Sequence, residues 1–266
     1  MPAHRLITVC FSHFVERARW GLDRVGLPYV EAGHMPVFHM PFVWHAHRGR
    51  AGRKDAASSP LSTPVLVLPS GECICDSRAI LDHLDAEHSA PDERLYPREH
   101  PEAERLEALE ARWHDDLAIH SRRLAYGACF ASPGVLEAIA RHNVGRVEAG
   151  AFRVMLPLVE RFMRGHFDIN EAGLEESRSV CWRELDSAAE HLADGRPYLA
   201  GERFSGWDLS FACFAAPLVL PAEYAAWLPA LRDLDPEDAA YIREVRQHPA
   251  AIHALRMFAE HRPPRA

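Results

Sequence analysis

Pro64 opens an apolar run, Thr63-Pro64-Val65-Leu66-Val67, and that one residue restricts where the run can sit in a fold. Proline has no N–H to give to a sheet ladder, so a proline-led strand begins at its first residue or lies at an edge. Pro69-Ser70-Gly71-Glu72 then reads as a hairpin turn. A second short strand, Cys73 to Cys75, follows, and Asp76-Ser77 leads from it into a helix. This step gathers a carboxylate, a hydroxyl and unpaired backbone N–H groups at a helix N-terminus, which suits a small charged ligand.

The chain before this hairpin supplies a matching set. Leu6 to Phe11 reads as a buried strand, and Val15 to Val25 as a helix with Val15, Ala18, Leu22 and Val25 on one face. Gly26 ends that helix, and Leu27-Pro28-Tyr29-Val30 begins a second strand. A long stretch, roughly 32–62, rich in His, Pro and Arg, reads as an irregular loop of the kind that serves function. Strand, helix, strand, then proline-led strand, hairpin and helix is the order of a thioredoxin-like α/β domain.

Residues 91–101 are dense in Pro and charge and read as a linker. Beyond them the pattern turns helical. Leu106, Leu109, Trp113, Leu117, His120 and Leu124 form one continuous stripe, and two more follow at Phe152 to Phe162 and Cys181 to Leu192. Ser205-Gly206-Trp207-Asp208 has capping-box spacing ahead of an apolar helix from Leu209. His248-Pro249 starts a final short helix through Phe258. The expected fold class is α+β in two domains: residues 1–90 thioredoxin-like, 91–101 a linker, and 102–266 all-helical.

Composition narrows the function. A net charge of −8 leaves no basic footprint for nucleic acid. The six cysteines include only one close pair, Cys73 and Cys75, spaced CxC, so no zinc-like ligand set is expected. Reduced thiols and an opening, Met1 to Arg5, unlike a signal peptide favour the cytoplasm. The apolar segment from Phe211 to Leu231 is broken by Pro217, Pro221 and Pro229, so it is expected to be a buried helix and loop rather than a membrane span.

With these elements in place the chain resembles the glutathione S-transferase superfamily. Besides the Thr63-Pro64 and Asp76-Ser77 steps, Pro197 to Leu209 looks like that family's YLxGxxxSxxD segment, and the His248-Pro249-Ala250 close is also typical. The resemblance implies a thioredoxin-like glutathione site, an all-helical second domain and a homodimer. It implies glutathione as co-substrate without a metal, and conjugation of its thiolate to a small hydrophobic electrophile.

Glutathione attacks as the thiolate, and a free thiol is mostly protonated at neutral pH. Ser12, in Cys10-Phe11-Ser12-His13-Phe14-Val15-Glu16-Arg17-Ala18-Arg19, lies between strand and helix, where its hydroxyl and the helix's positive end favour a thiolate. It resembles the Ser of the family's Ser-type classes, with Phe14, Arg17 and Arg19 matching and His13 replacing a proline. Helix capping is the plainer role for Ser12. Cys10, inside the strand, is expected to be buried and inert, and His13 to be an exposed loop residue. The resemblance assigns Thr63 and a cis Pro64 to the backbone clamp on the cysteinyl part of glutathione. It assigns Asp76 and Ser77 to the γ-glutamyl end, the Ser hydroxyl and N–H groups taking the carboxylate and Asp76 the ammonium.

Arg48, Arg50, Arg53 and Lys54 are equal candidates for the glycyl carboxylate. His34, His39, His45 and His47 share their loop without a pattern that defines a metal site. Trp113, His120 and Tyr126 are candidates to line an electrophile pocket. Two other readings stay open: a non-catalytic binding or regulatory protein of the same fold, and a glutathione-dependent isomerase or dehalogenase on the same scaffold.

Overall fold

The computed structural model describes residues 3–47 and 60–264. Its N-terminal region is a sheet of four strands in the order β2-β1-β3-β4. β1 (His4–Val9) and β2 (Tyr29–His34) are parallel, with Leu6 beside Glu31, and are joined by helix α1 (His13–Arg24). β3 (Val65–Val67) runs antiparallel to β1, with Leu6 beside Leu66, and β4 (Cys73–Cys75) antiparallel to β3. Strand residues alternate between two cores. Leu6 and Leu66 face the main core with α1 and with α3 (Ser77–His88), while Ile7 and Val65 face a smaller cluster that includes Val43 and Ala46.

Val43 and Ala46 belong to α2 (Met40–His47), inside the stretch expected to be irregular. β2 also runs on through Ala32 to His34 before α2 begins, so that expectation is corrected for the described residues. The helix has little apolar periodicity of its own. Its two buried residues close the sheet face opposite α1, and that burial stabilises it. α1 and α3 pack so closely that a Cβ at Gly21 would fall 2.2 Å from the Leu81 side chain. Gly26, at φ +64, ends the turn after α1.

Residues 91–101 carry turns without helix or strand, yet Leu95 and Tyr96 are buried. Asp85, near the end of α3, accepts hydrogen bonds from the N–H groups of both, each at 2.9 Å.

The helical region comprises α4 (Ala103–Asp115), α5 (Leu117–Ala131), α6 (Val135–Asn143), α7 (Arg146–His166), α8 (Glu171–His191), α9 (Gly206–Val219), α10 (Pro236–Val245) and α11 (Pro249–His261). The stripe expected from Leu106 to Leu124 is divided at Asp116, whose φ −101 and ψ −70 kink the path between α4 and α5. The Asp116 carboxylate accepts from Arg183 of α8 at 2.6 Å, which holds the kink from outside. α9 is apolar on every side and nearly all buried, as a helix at the centre of a core must be. It packs against α1, α4, α5, α10 and α11, so it joins the two regions. Among the described residues no helix is long and apolar enough to cross a membrane.

Candidate active site

Ser12 is the N-cap of α1, with extended backbone at φ −70 and ψ 132. Its carbonyl accepts the first helical bond from the Glu16 N–H at 2.9 Å, and its own N–H donates to Val9 at 2.9 Å. The hydroxyl makes no capping bond, so capping leaves it uncommitted. A half-buried, unengaged hydroxyl at the positive end of a helix is well placed to donate to an anion.

The other four expected residues converge on the same end of the sheet. The Thr63–Pro64 bond is cis. Thr63 Oγ1 accepts from the N–H of Val9, at the end of β1, at 3.3 Å. The Pro64 carbonyl accepts from the Asp76 N–H at 3.3 Å, which ties the proline turn to the head of α3. Asp76 has φ +78, a region L-residues seldom occupy, and its Oδ1 caps α3 by accepting from the Arg78 N–H at 2.7 Å.

Ser77 is fully buried, and its hydroxyl accepts from Arg17 Nη1 at 3.3 Å. Accepting that bond leaves its own O–H available to donate. Arg17 in turn pairs with Glu110 of α4 and donates to the Tyr96 hydroxyl at 3.0 Å. Arg78 pairs with the other oxygen of Glu110 at 2.9 Å and lies 3.7 Å over the Tyr96 ring. Burial alone would push the Arg17 guanidinium down, but Tyr96, Glu110 and Asp76 outweigh it and hold it above its ordinary range.

Cys10 is buried, and burial pushes its thiol up to about 12 against the opposing pull of Arg19. Its Sγ donates to Met35 Sδ at 3.8 Å, so it is a packed, protonated side chain. His13 corrects the expectation of an exposed loop residue: it is the first residue of α1 and is buried between Phe14 and Phe214. Burial first, then Arg122 and His114, lower it to about 3. Its ring is therefore neutral at physiological pH, with Nε2 buried and unpaired among the described residues.

The candidates in the long stretch separate. Arg48, Arg50, Arg53 and Lys54 lie outside the described residues. His34 Nδ1 sits 2.8 Å from Glu148 of α7, and its ring stacks on Phe42 at 3.9 Å. His47 Nε2 lies 3.6 Å from Cys75 Sγ. Among the described residues no three His, Cys, Asp or Glu side chains gather where a metal ion would bind.

Beside Ser12 the two regions enclose about 700 Å³ of atom-free space, part of it open to solvent. Ser12, His13, Arg122, Tyr126 and Tyr224 line it among mostly apolar neighbours. A mostly apolar lining with a few polar groups is the character of a small-molecule site. Of the three pocket candidates only Tyr126 lines it. Trp113 packs in the core on Phe211 with ring centroids 4.9 Å apart, and His120 Nδ1 faces the Ser177 hydroxyl at 3.0 Å. Arg122 was not legible as a pocket residue, because its neighbour Arg123 has the same chemistry and turns to Glu176 instead.

Residues 6–92 match the family model of the glutathione S-transferase N-terminal domain. No curated protein matches the sequence. Solved structures match over nearly the whole chain. One is a glutathione S-transferase of Ceriporiopsis subvermispora in complex with glutathione, 15% identical, covering 100% of both chains with TM-score 0.61. A second, from Methylobacillus flagellatus KT with glutathione bound, is 19% identical and covers 98% of this chain and 100% of its own with TM-score 0.57. A theta-class enzyme of Xanthomonas axonopodis pv. citri with glutathione bound is 19% identical, covers 96% and 98%, and has TM-score 0.54. The N-terminal region thus matches the glutathione S-transferase N-terminal domain, and the chain as a whole shares the fold of these solved structures.

Proposed function

We propose that this protein is a cytoplasmic, homodimeric glutathione transferase that joins the glutathione thiolate to a small hydrophobic electrophile. The observation that carries the reading is the unengaged Ser12 hydroxyl, at the head of α1, on the wall of an apolar cavity. Solved relatives of the same fold with glutathione bound support glutathione as the ligand. In this reading residues 1–90 hold glutathione, residues 91–101 link, and residues 102–266 supply the far wall of the cavity. The Thr63 backbone beside Pro64 would hold the cysteinyl part, and Asp76 with Ser77 the γ-glutamyl end.

Ser12 would donate its hydroxyl hydrogen to the sulfur, and the α1 N-terminus adds partial positive charge. Together they favour the thiolate, whose proton leaves to solvent. The thiolate forms an S–C bond with the electrophile as the leaving group departs with its electron pair. The surrounding apolar wall excludes water and strengthens these charge interactions.

The test is glutathione binding and conjugation of a generic aryl halide, in the wild type and in Ser12→Ala. The variant is expected to bind glutathione, with the bound thiol titrating higher by its thiolate absorbance, and to conjugate about 10²-fold more slowly. A wild type that binds no glutathione sinks the reading, and a variant as fast as wild type sinks the role of Ser12.

A further inference from the structure

Arg122 is the only charged side chain among the described residues that line the cavity beside Ser12: burial holds His13, Tyr126, Cys129 and Tyr224 there neutral. It makes no hydrogen bond and no ion pair among the described residues, and its Nε is buried without a partner. Several other enclosed arginines of the chain are paired. Arg17, Arg19 and Arg262 are each buried against a carboxylate. Arg123, next to Arg122 on α5, reaches the Phe167 carbonyl, the Gly173 carbonyl and Glu176.

Arg122 is held by rings instead. Its guanidinium lies 4.4 Å from the Phe167 ring centroid and 5.9 Å from that of Phe14. Such contacts orient a guanidinium and leave its in-plane N–H groups unused. A cation taken from water without a counter-charge is costly, and an unmet buried group calls for an explanation. A ligand that brings the missing negative charge supplies one.

We propose that Arg122 is the specificity-determining residue of this cavity, and that the electrophile is an apolar acid: a hydrocarbon or aromatic body carrying one oxyanion such as a carboxylate. The apolar lining takes the body, and the guanidinium takes the oxyanion through a pair of parallel N–H bonds. The same charge lies close enough to His13 to help keep it neutral, so the anion binds within the cavity that Ser12 lines. The electrophilic role rests on the transferase reading; recognition of an apolar anion by Arg122 does not.

The experiment uses two fluorescent probes with one aromatic body, anilinonaphthalene sulfonate and its uncharged parent phenylnaphthylamine, titrated into the whole protein. The wild type is expected to bind the sulfonate about 10-fold or more tightly than the parent. In Arg122→Met that preference disappears while the parent's affinity moves less than about twofold, and Arg122→Lys retains most of the preference. Unchanged sulfonate binding in Arg122→Met overturns the proposal. Equal weakening of both probes in Arg122→Met overturns it too, since that shows a packing role. A protein that conjugates no electrophile but shows the charge-dependent pattern overturns the transferase reading alone. One that conjugates neutral aryl halides without the pattern overturns the Arg122 assignment alone.

Discussion

Ser12 and His13 are adjacent, yet their side chains meet opposite environments. The Ser12 hydroxyl has no partner among the described residues and borders the cavity, while the His13 ring is packed against Phe14 and Phe214. The His13 value of about 3 lies below the ordinary 6.5, so between those values the unfolded chain binds a proton that the folded protein does not. Stability then rises with pH. The contribution is fully present above pH 6.5 and is lost as pH falls toward 3. His13→Phe, which keeps a ring without the titration, is expected to flatten the fall in Tm on acidification over that window. Parallel Tm–pH curves for wild type and variant would remove His13 from the acid response. The contrast between the two residues was half legible. Ser12 was recognisable from its place between strand and helix. Burial of His13 was not, because Phe214 comes from α9, far along the chain.

At the scale of elements, what could be read depended on whether the signal was local. The capping box before α9 was visible as spacing, and in the structure both the N–H (3.0 Å) and the hydroxyl (2.6 Å) of Ser205 donate to Asp208. Asp208 does more than close a helix end. It is fully buried and also accepts from the Leu199 N–H at 2.8 Å, and its Oδ1 lies 3.1 Å from His253 Nε2 of α11. Asp208→Ala is expected to cost about 3 kcal/mol or more in urea unfolding, because several buried donors lose their acceptor together. Asp208→Asn, which keeps one acceptor oxygen, is expected to lose less. A cost within about 0.5 kcal/mol for the alanine variant would show those donors finding other partners. α10 has Pro236 at its first turn, and Asp235 Oδ1 caps it by accepting from the Glu237 N–H at 3.0 Å. α2 carried no such local sign, since only Val43 and Ala46 of its eight residues are buried and its apolar residues show little helical periodicity. The kink at Asp116 was hidden because the apolar stripe continues across it.

Over the whole molecule, α1, α3, α4 and α9 are joined through one buried polar cluster. Glu110 is its hub, taking Arg17 and Arg78 from the N-terminal region and the Tyr96 and Ser210 hydroxyls from the 91–101 stretch and α9. Glu110→Ala leaves Arg17 fully enclosed without its counter-charge, and a loss of about 3–5 kcal/mol in chemical denaturation is expected. Since Arg17 also holds the Ser77 hydroxyl, glutathione affinity is expected to fall in the same variant. Wild-type stability together with wild-type affinity would show that the cluster joins nothing. Glu110→Gln, which keeps an acceptor at lower charge, should fall between the two.

The order of the four strands with α1 and α3, the proline-led strand, the acidic-Ser step and the capping box were readable along the chain. Each depends on period, turn chemistry or spacing among neighbouring residues. Which hydroxyl stays free, which histidine is neutral and which arginine lacks a carboxylate were not. Those depend on burial and on partners brought together from α1, α5, α9 and the loops between helices. Desolvation and charge pairing act through space, and the sequence separation of the groups involved does not enter.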